Sequence, residues 1–400
     1  MIVASGWSAV SAVVVMAVAA RVLDTADYTR LLVYYSALFG CFQIITGIQN
    51  ESSRAVSSAN LESGDRGVAR PARVLTMAVI LTGAGVVALL LLSPLWAPSL
   101  GASTLVVSVS AAILVIYGCY LSLAGALAGH HRWGTMIVLF LSEPTVRIGL
   151  VLVIALTLPS LVSLQLAMAI PALTSLLVAL AIRPAREALL ARGDVGLRRL
   201  LGNGLLAMLA AMAAAVLVNG FPAIVRAALG DATPGLATIL LAVQLTRAPV
   251  MVPLTVFQSI AIAGFVAVRN GSLKVLVKPF AGLAALGALL ALVVGFVGPW
   301  IMRLLFGSQY VMSGLMLGCL TFATVSVALL TISGTATIAV GAHRAYLVGW
   351  LLGAGATVAL LFALPLAGVG KVIAAVLVGP LFGVLVHLWA IRGSGRDGDL

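Results

Sequence analysis

Leu283–Val297 reads LAALGALLALVVGFV, fifteen residues without a charged or hydrogen-bonding side chain. Met77–Leu92, MAVILTGAGVVALLLL, is of the same kind with a single threonine. A strand of a membrane barrel alternates polar and apolar residues, and these runs do not. A helix crossing the ~30 Å hydrocarbon core needs about 20 predominantly apolar residues at about 1.5 Å of rise each. Composition carries the same message along the rest of the chain. Its 400 residues are 62% hydrophobic and only 8% charged, whereas a soluble domain carries about a quarter of its residues as Asp, Glu, Lys and Arg. There is too little charge to build a hydrated shell, so lipid is the solvent. Every backbone polar group must then be bonded within the chain. The predicted fold class is an all-α polytopic membrane protein.

Working outward, the apolar runs predict about 12 transmembrane helices, at 2–22, 31–57, 74–93, 104–128, 135–157, 162–182, 202–226, 235–266, 279–304, 312–340, 346–366 and 370–391. Ile2–Ala20 has neither a basic leading region nor a small-residue cleavage site, so it reads as the first span and not as a leader. With the N-terminus inside, sixteen of the 23 basic residues fall in cytoplasmic loops. Five (Arg21, Arg30, Arg226, Arg303 and Lys371) fall outside, and Arg147 and Arg247 stay within spans. That asymmetry follows the positive-inside rule and predicts both termini in the cytoplasm. The net charge of +12 then belongs to loops facing anionic lipid headgroups, with no nucleic-acid partner implied. The Arg-, Ala- and Gly-rich usage suggests a bacterial protein of the inner membrane.

The longest polar stretch, Arg183–Arg199, falls near the midpoint. It predicts an N-terminal six-helix lobe (1–183), an amphipathic cytoplasmic linker (184–200), a C-terminal six-helix lobe (201–391) and a tail (392–400). Gly129-His130-His131-Arg132 after the fourth span is echoed by Gly341-Ala342-His343-Arg344 after the tenth. Two halves of six spans share one orientation and relate by an axis along the membrane normal.

Enzyme signatures are missing: no G-x-S-x-G, no P-loop, no H-E-x-x-H. Cys41, Cys119 and Cys319 lie in apolar runs with no metal or disulfide spacing, and no cofactor is expected. What remains is the polar inventory of the spans, where an ionisable group at the centre costs about 2.5–3.5 kcal/mol to insert. Gln43, Gly47, Asn50 and Arg54 share one helical face of the second span. Glu143 and Arg147 stand at i, i+4 on the fifth, with Pro144 loosening the helix. Gln244, Arg247 and Gln258 form a stripe on the eighth, beside Pro249 and Pro253. Glu143 either neutralises Arg147 or carries a coupling ion, and Glu51 is the other acid in reach of that role. Arg54 either snorkels to the interface or serves a ligand. Arg247 has no acid in its own span. A cationic interior suits an anionic substrate such as a phosphate, which guanidinium forks bind bidentately.

Three stretches then become familiar. Ala20–Tyr28, ARVLDTADY, resembles the turn after the first span of Wzx-type polysaccharide flippases, in the multidrug/oligosaccharidyl-lipid/polysaccharide (MOP) exporter superfamily. Leu304–Tyr310, LLFGSQY, resembles an element of that family after its ninth span. Gln244–Pro249, QLTRAP, with Pro253-Leu254, is similar to the eighth span of the related lipid II flippases. Gln309 stands where an acid is common, and Thr25-Ala26 where Gly-Pro is usual. The resemblance implies a MOP/MATE-like fold, two six-helix lobes around a central cavity, working by alternating access. It implies a polyprenyl-(pyro)phosphate-linked saccharide as substrate, with Arg21, Arg54 and Arg247 at the family's basic positions.

The sequence therefore predicts a transporter, not an enzyme. A lipid-linked saccharide would be flipped to the outer leaflet for cell-envelope polysaccharide assembly. Its phosphate would be held by Arg54, Arg147 and Arg247, with Arg21, Gln244, Asn50 and Gln43 lining the path. Coupling to an ion gradient or the membrane potential, and partnership with glycosyltransferases or polymerases of the pathway, go with that reading. The rivals are an ion-coupled multidrug or small-molecule antiporter of the same fold, a membrane-embedded glycan-assembly enzyme, and a lipid-binding scaffold.

Overall fold

The computed structural model describes residues 2–61, 71–266, 274–339 and 342–394. The chain packs as two compact units, 1–220 and 221–400. Arg66, Arg70 and Arg269, Gly341 of the echoed turn, and the side chains of Pro253, Gln258 and His343 lie outside the described residues.

The first unit holds α1 (Ile2–Val22), α2 (Thr25–Leu61), α3 (Val74–Leu91), α4 (Ser93–Trp96), α5 (Thr104–Gly129), α6 (Trp133–Thr157), α7 (Leu161–Ala169), α8 (Pro171–Ala181), α9 (Arg183–Ala188) and α10 (Leu197–Val218). The second holds α11 (Phe221–Leu229), α12 (Leu236–Val266), α13 (Lys274–Phe306), α14 (Gly314–Ala339), α15 (His343–Ala363) and α16 (Gly368–Ser394). Each of the twelve expected spans coincides with helix. Among the described residues ten helices are long and apolar enough to cross a bilayer, and Gly6–Val22 and Leu236–Met251 are shorter apolar stretches. The chain is a multi-pass membrane protein. Leu156 and Phe296, 87% and 84% exposed, would be untenable in water and are ordinary against lipid.

Two spans are interrupted where the sequence suggested continuity. The sixth breaks at Ile170, because Pro171 cannot continue the hydrogen-bond ladder and instead starts α8. The seventh, expected over 202–226, ends at Val218 and resumes as α11. Pro222 lacks an N–H and restricts Phe221 before it, so Asn219 and Gly220 fold back onto the Ala215 carbonyl at 3.1 and 2.7 Å. Pro144, by contrast, is carried inside α6 without breaking it.

In the first unit α2 is central and packs on α5 and α10. Glycines make this approach possible. A Cβ on Gly47 would collide with the Ala207–Met208 backbone of α10, and one on Gly125 of α5 with the Gln49 carbonyl of α2. With no hydrophobic drive between helices in lipid, such small-residue contacts are what hold a bundle.

The polar stretch after α8 is fastened within this unit. Gly193 N–H donates to the Ala72 carbonyl at 2.9 Å and Ala72 N–H to that of Val195 at 3.1 Å, while Arg132 and Arg183 both reach Glu187. By packing, α10 belongs with α2 and α3, although span order counted it with the second half. In the second unit α14 is central, packing on α12, α13, α15 and α16. Ala328, Ile332 and Ala336, one face of α14, form its core with Val250, Leu254 and Ile391.

Candidate functional site

The first unit has a half-open cavity of about 370 Å³ where α2, α5, α6 and the end of α10 converge. On α2, Phe39, Phe42, Gln43 and Thr46 line it, at the i, i+3, i+4, i+7 spacing that puts side chains on one face. Tyr117 comes from α5; Phe140, Glu143 and Arg147 from α6; Asn219 and Ser8 complete the wall.

Arg147 is only 1% exposed, in ion pair with Glu143. Its Nη2 meets the carboxylate, whereas Nε and Nη1 are buried without a hydrogen-bond partner among the described residues. The guanidinium also stands over the Phe39 ring, 4.6 Å from its centroid, a cation–π contact. Beyond it the rings run on: Tyr35 stacks on Phe39 at 4.3 Å, Phe42 on Tyr117 at 4.0 Å, and Tyr120 meets Phe140 edge-on at 6.1 Å. Gln43 accepts from the Asn219 amide at 3.4 Å, and the Asn219 carbonyl accepts from Ser36 at 2.5 Å. A positive charge, a negative charge, two amides and four aromatic rings thus line one space.

Of the residues singled out in the sequence, Gln43, Glu143 and Arg147 meet here. Asn50 is exposed and Arg21 sits exposed in the last turn of α1; neither lines the cavity. Arg54 is engaged elsewhere. It donates to both oxygens of Glu51, at 2.8 and 2.7 Å, and of Asp194, at 2.8 and 3.1 Å, while Asn203 donates to Glu51 at 3.1 Å. One guanidinium against two carboxylates leaves this cluster net negative, an arrangement that repels phosphate and fastens α2 to the stretch before α10.

In the second unit Arg247 is 8% exposed and lies over the Phe221 ring, 4.7 Å from its centroid. Gln244, one turn earlier on α12, has a buried amide nitrogen without a partner among the described residues.

Two features went unread in the sequence. The aromatic ladder draws rings from three helices, and only the Phe39/Phe42 and Tyr117/Tyr120 spacings were visible in advance. His387 on α16 is fully buried. Its Nε2 lies 3.2 Å from the Tyr346 carbonyl, and Nδ1 lies 2.9 Å from the Ser333 hydroxyl. Since a carbonyl can only accept, Nε2 carries a proton. Both ring nitrogens are engaged by neighbouring helices, which marks the side chain as part of the packing.

No protein-family profile matches the chain. It is 33% identical over 372 residues to "Uncharacterized protein Rv3630" of Mycobacterium tuberculosis (strain ATCC 25618 / H37Rv), spanning 89% of this chain and 84% of that protein. It is 32% identical over 389 residues to "Uncharacterized protein Rv1510" of the same strain, spanning 94% and 87%. The chain belongs to the family of these mycobacterial proteins.

The fold of the family is seen in more distant solved structures. An inward-facing multidrug resistance MATE family transporter of the MOP superfamily superposes with a TM-score of 0.70 at 16% identity, covering 96% of this chain and 94% of that one. An outward-facing one gives 0.67 at 15%, covering 99% and 94%. A MOP superfamily transporter from Pyrococcus furiosus, reported for the reverse polarity of its binding pocket, gives 0.61 at 16%, covering 97% and 96%. This member of the family has the MATE/MOP transporter fold.

Proposed function

We propose that the protein is a flippase that moves a polyprenyl-(pyro)phosphate-linked saccharide from the cytoplasmic to the outer leaflet of a bacterial inner membrane by alternating access. The observation that supports the reading is the half-open, charged and hydrogen-bonding cavity in the first unit of a MOP-type fold. Lipid-facing helices have no use for such a space unless a polar group enters it, since buried polar atoms without partners are costly. The resemblance of ARVLDTADY and LLFGSQY to the Wzx-type flippases gives the substrate class.

Phosphate recognition falls to Arg247, a buried guanidinium in the stretch similar to the eighth span of the lipid II flippases, with Gln244 one turn earlier on α12. Arg54, occupied by Glu51 and Asp194, holds α2 in place, and Arg21 stays at the membrane surface. Glu143 is the acid through which an ion gradient would act. Glycosyltransferases and polymerases of the same pathway are the partners this function calls for, upstream and downstream of the flip.

The test is the leaflet exposure of lipid-linked saccharide in cells that depend on this protein. Depletion is expected to accumulate the lipid-linked sugar on the cytoplasmic face, closed to an added glycosidase. Unchanged outer-leaflet exposure after depletion, together with efflux of cationic dyes that depends on the protein, would favour the multidrug antiporter instead.

A further inference from the structure

We infer that the cavity of the first unit is a subsite for one neutral pyranose ring of the substrate and excludes its phosphate. The inference rests on the saccharide-lipid reading above and assigns the sugar to this space. The first reason is charge. Among the described residues, Arg147 and Glu143 are the only ionic ones that line it, and they are already paired. A phosphate drawn to Arg147 would meet the Glu143 carboxylate beside it.

The second reason is hydrogen-bonding character. Glu143, which lines the space, accepts. The Gln43 and Asn219 amides both donate and accept. A hydroxyl gives one hydrogen and offers two lone pairs, so a polyhydroxylated ring answers all of these at once, and an oxyanion answers only the donors.

The third reason is shape. Tyr117 and Phe140 present flat apolar surface to the same space, which suits the apolar C–H face of a pyranose. At about 370 Å³ the cavity sits at the small end of the roughly 300–1,000 Å³ range of ligand sites. That is room for a monosaccharide-sized group.

The experiment uses the full-length protein in lipid nanodiscs and ligand-observed saturation-transfer NMR. The probes are a panel of methyl hexopyranosides and pentosides, inorganic pyrophosphate, and tetraphenylphosphonium as an organic cation. At least one glycoside is expected to bind, to lose affinity tenfold or more in Tyr117→Leu and in Gln43→Leu, and to resist displacement by pyrophosphate. Gln43→Leu removes hydrogen bonding at similar size, so it remains informative if the aromatic variant misfolds.

Three results would each overturn the assignment: no glycoside of the panel binding, pyrophosphate displacing the glycoside in a manner lost in Arg147→Gln, or tetraphenylphosphonium displacing it. The subsite and the transport reading can fail separately. Flipping of a lipid-linked saccharide without glycoside binding removes the subsite alone; glycoside binding without flipping removes the transport reading and leaves the cavity a sugar site.

Discussion

At the residue scale two buried guanidinium groups stand out, each over an aromatic ring. Arg147 shares its charge with Glu143, so neutralising either partner strands the other in a low-dielectric site. Removing one member of a buried pair costs about 3–5 kcal/mol, while removing both is often near neutral. Arg147→Gln and Glu143→Gln are each expected to lower the denaturation midpoint of the detergent-purified protein, and the double variant to recover most of the loss. Additive losses in the double variant would mean that the pair is not coupled.

Arg247 lies in the stretch similar to the eighth span of the lipid II flippases and stands over the Phe221 ring. A hydrogen bond to a charged group contributes about 1.5–3 kcal/mol, so Arg247→Ala is expected to lower flipping tenfold or more at matched abundance. Lysine there keeps the charge and loses the planar fork, so Arg247→Lys recovers activity only in part. Both arginines were conspicuous in the sequence because each is an ion inside an apolar run. Their company was not, because the rings around Arg147 come from helices far apart in the chain.

At the scale of elements, α2 is the piece on which the first unit is assembled, and its glycines mark where. Gly47→Ala drives a Cβ into the backbone of α10. Overpacking costs typically about 1–3 kcal/mol, and backbone cannot move aside as a side chain can. Gly83→Ala on α3 meets nothing within 4 Å and is expected to be neutral or to stabilise by about 0.5–1 kcal/mol. Thermal unfolding of the two variants separates a contact effect from helix propensity.

The stretch after α8 is a second element whose hold can be titrated. The hydrogen bond from Arg132, supported by the charge of Arg183, keeps the Glu187 carboxyl below its ordinary 4.5. A depressed folded value means that the contribution is fully present above 4.5 and is lost as pH falls through the folded one. Protection of the 183–192 amides, relative to their intrinsic exchange rate at each pH, is therefore expected to be flat from neutral pH down to 4.5 and to fall below it. Glu187→Gln is expected to remove the step. Apolar length was enough to locate the spans from sequence, but not their breaks before Pro171 and Pro222. This packing of the 183–199 stretch back onto the first unit was not legible, since a polar run near the midpoint reads equally as a free linker; the clamp of Arg54 by Glu51 and Asp194 depends on it.

At the scale of the whole molecule, the number and order of helices follow from hydropathy, because in lipid a span announces itself by length alone. The orientation follows from the basic loops and is a separate expectation. With the native cysteines replaced, a cysteine at Leu190 is expected to react only with reagents admitted to the cytoplasm, and one at Ser99 with impermeant reagents added outside. Leu190 is 62% exposed, whereas Gly193 is packed against Ala55 and would not tolerate a label. Reaction of the Leu190 site from outside would invert the assigned topology.

The fold alone is shared by transporters of unlike cargo, so the substrate has to be read from the cavity and from movement of the cargo itself. The most direct measurement is flipping by the purified protein in proteoliposomes, given a fluorescent polyprenyl-phosphate-linked saccharide and, separately, a cationic dye. The account predicts protein-dependent loss of the glycolipid from the quenchable leaflet, slowed tenfold or more by Arg247→Ala, with no transport of the dye. Transport of the dye with the glycolipid left in place, or glycolipid flipping at full rate by Arg247→Ala, would contradict it.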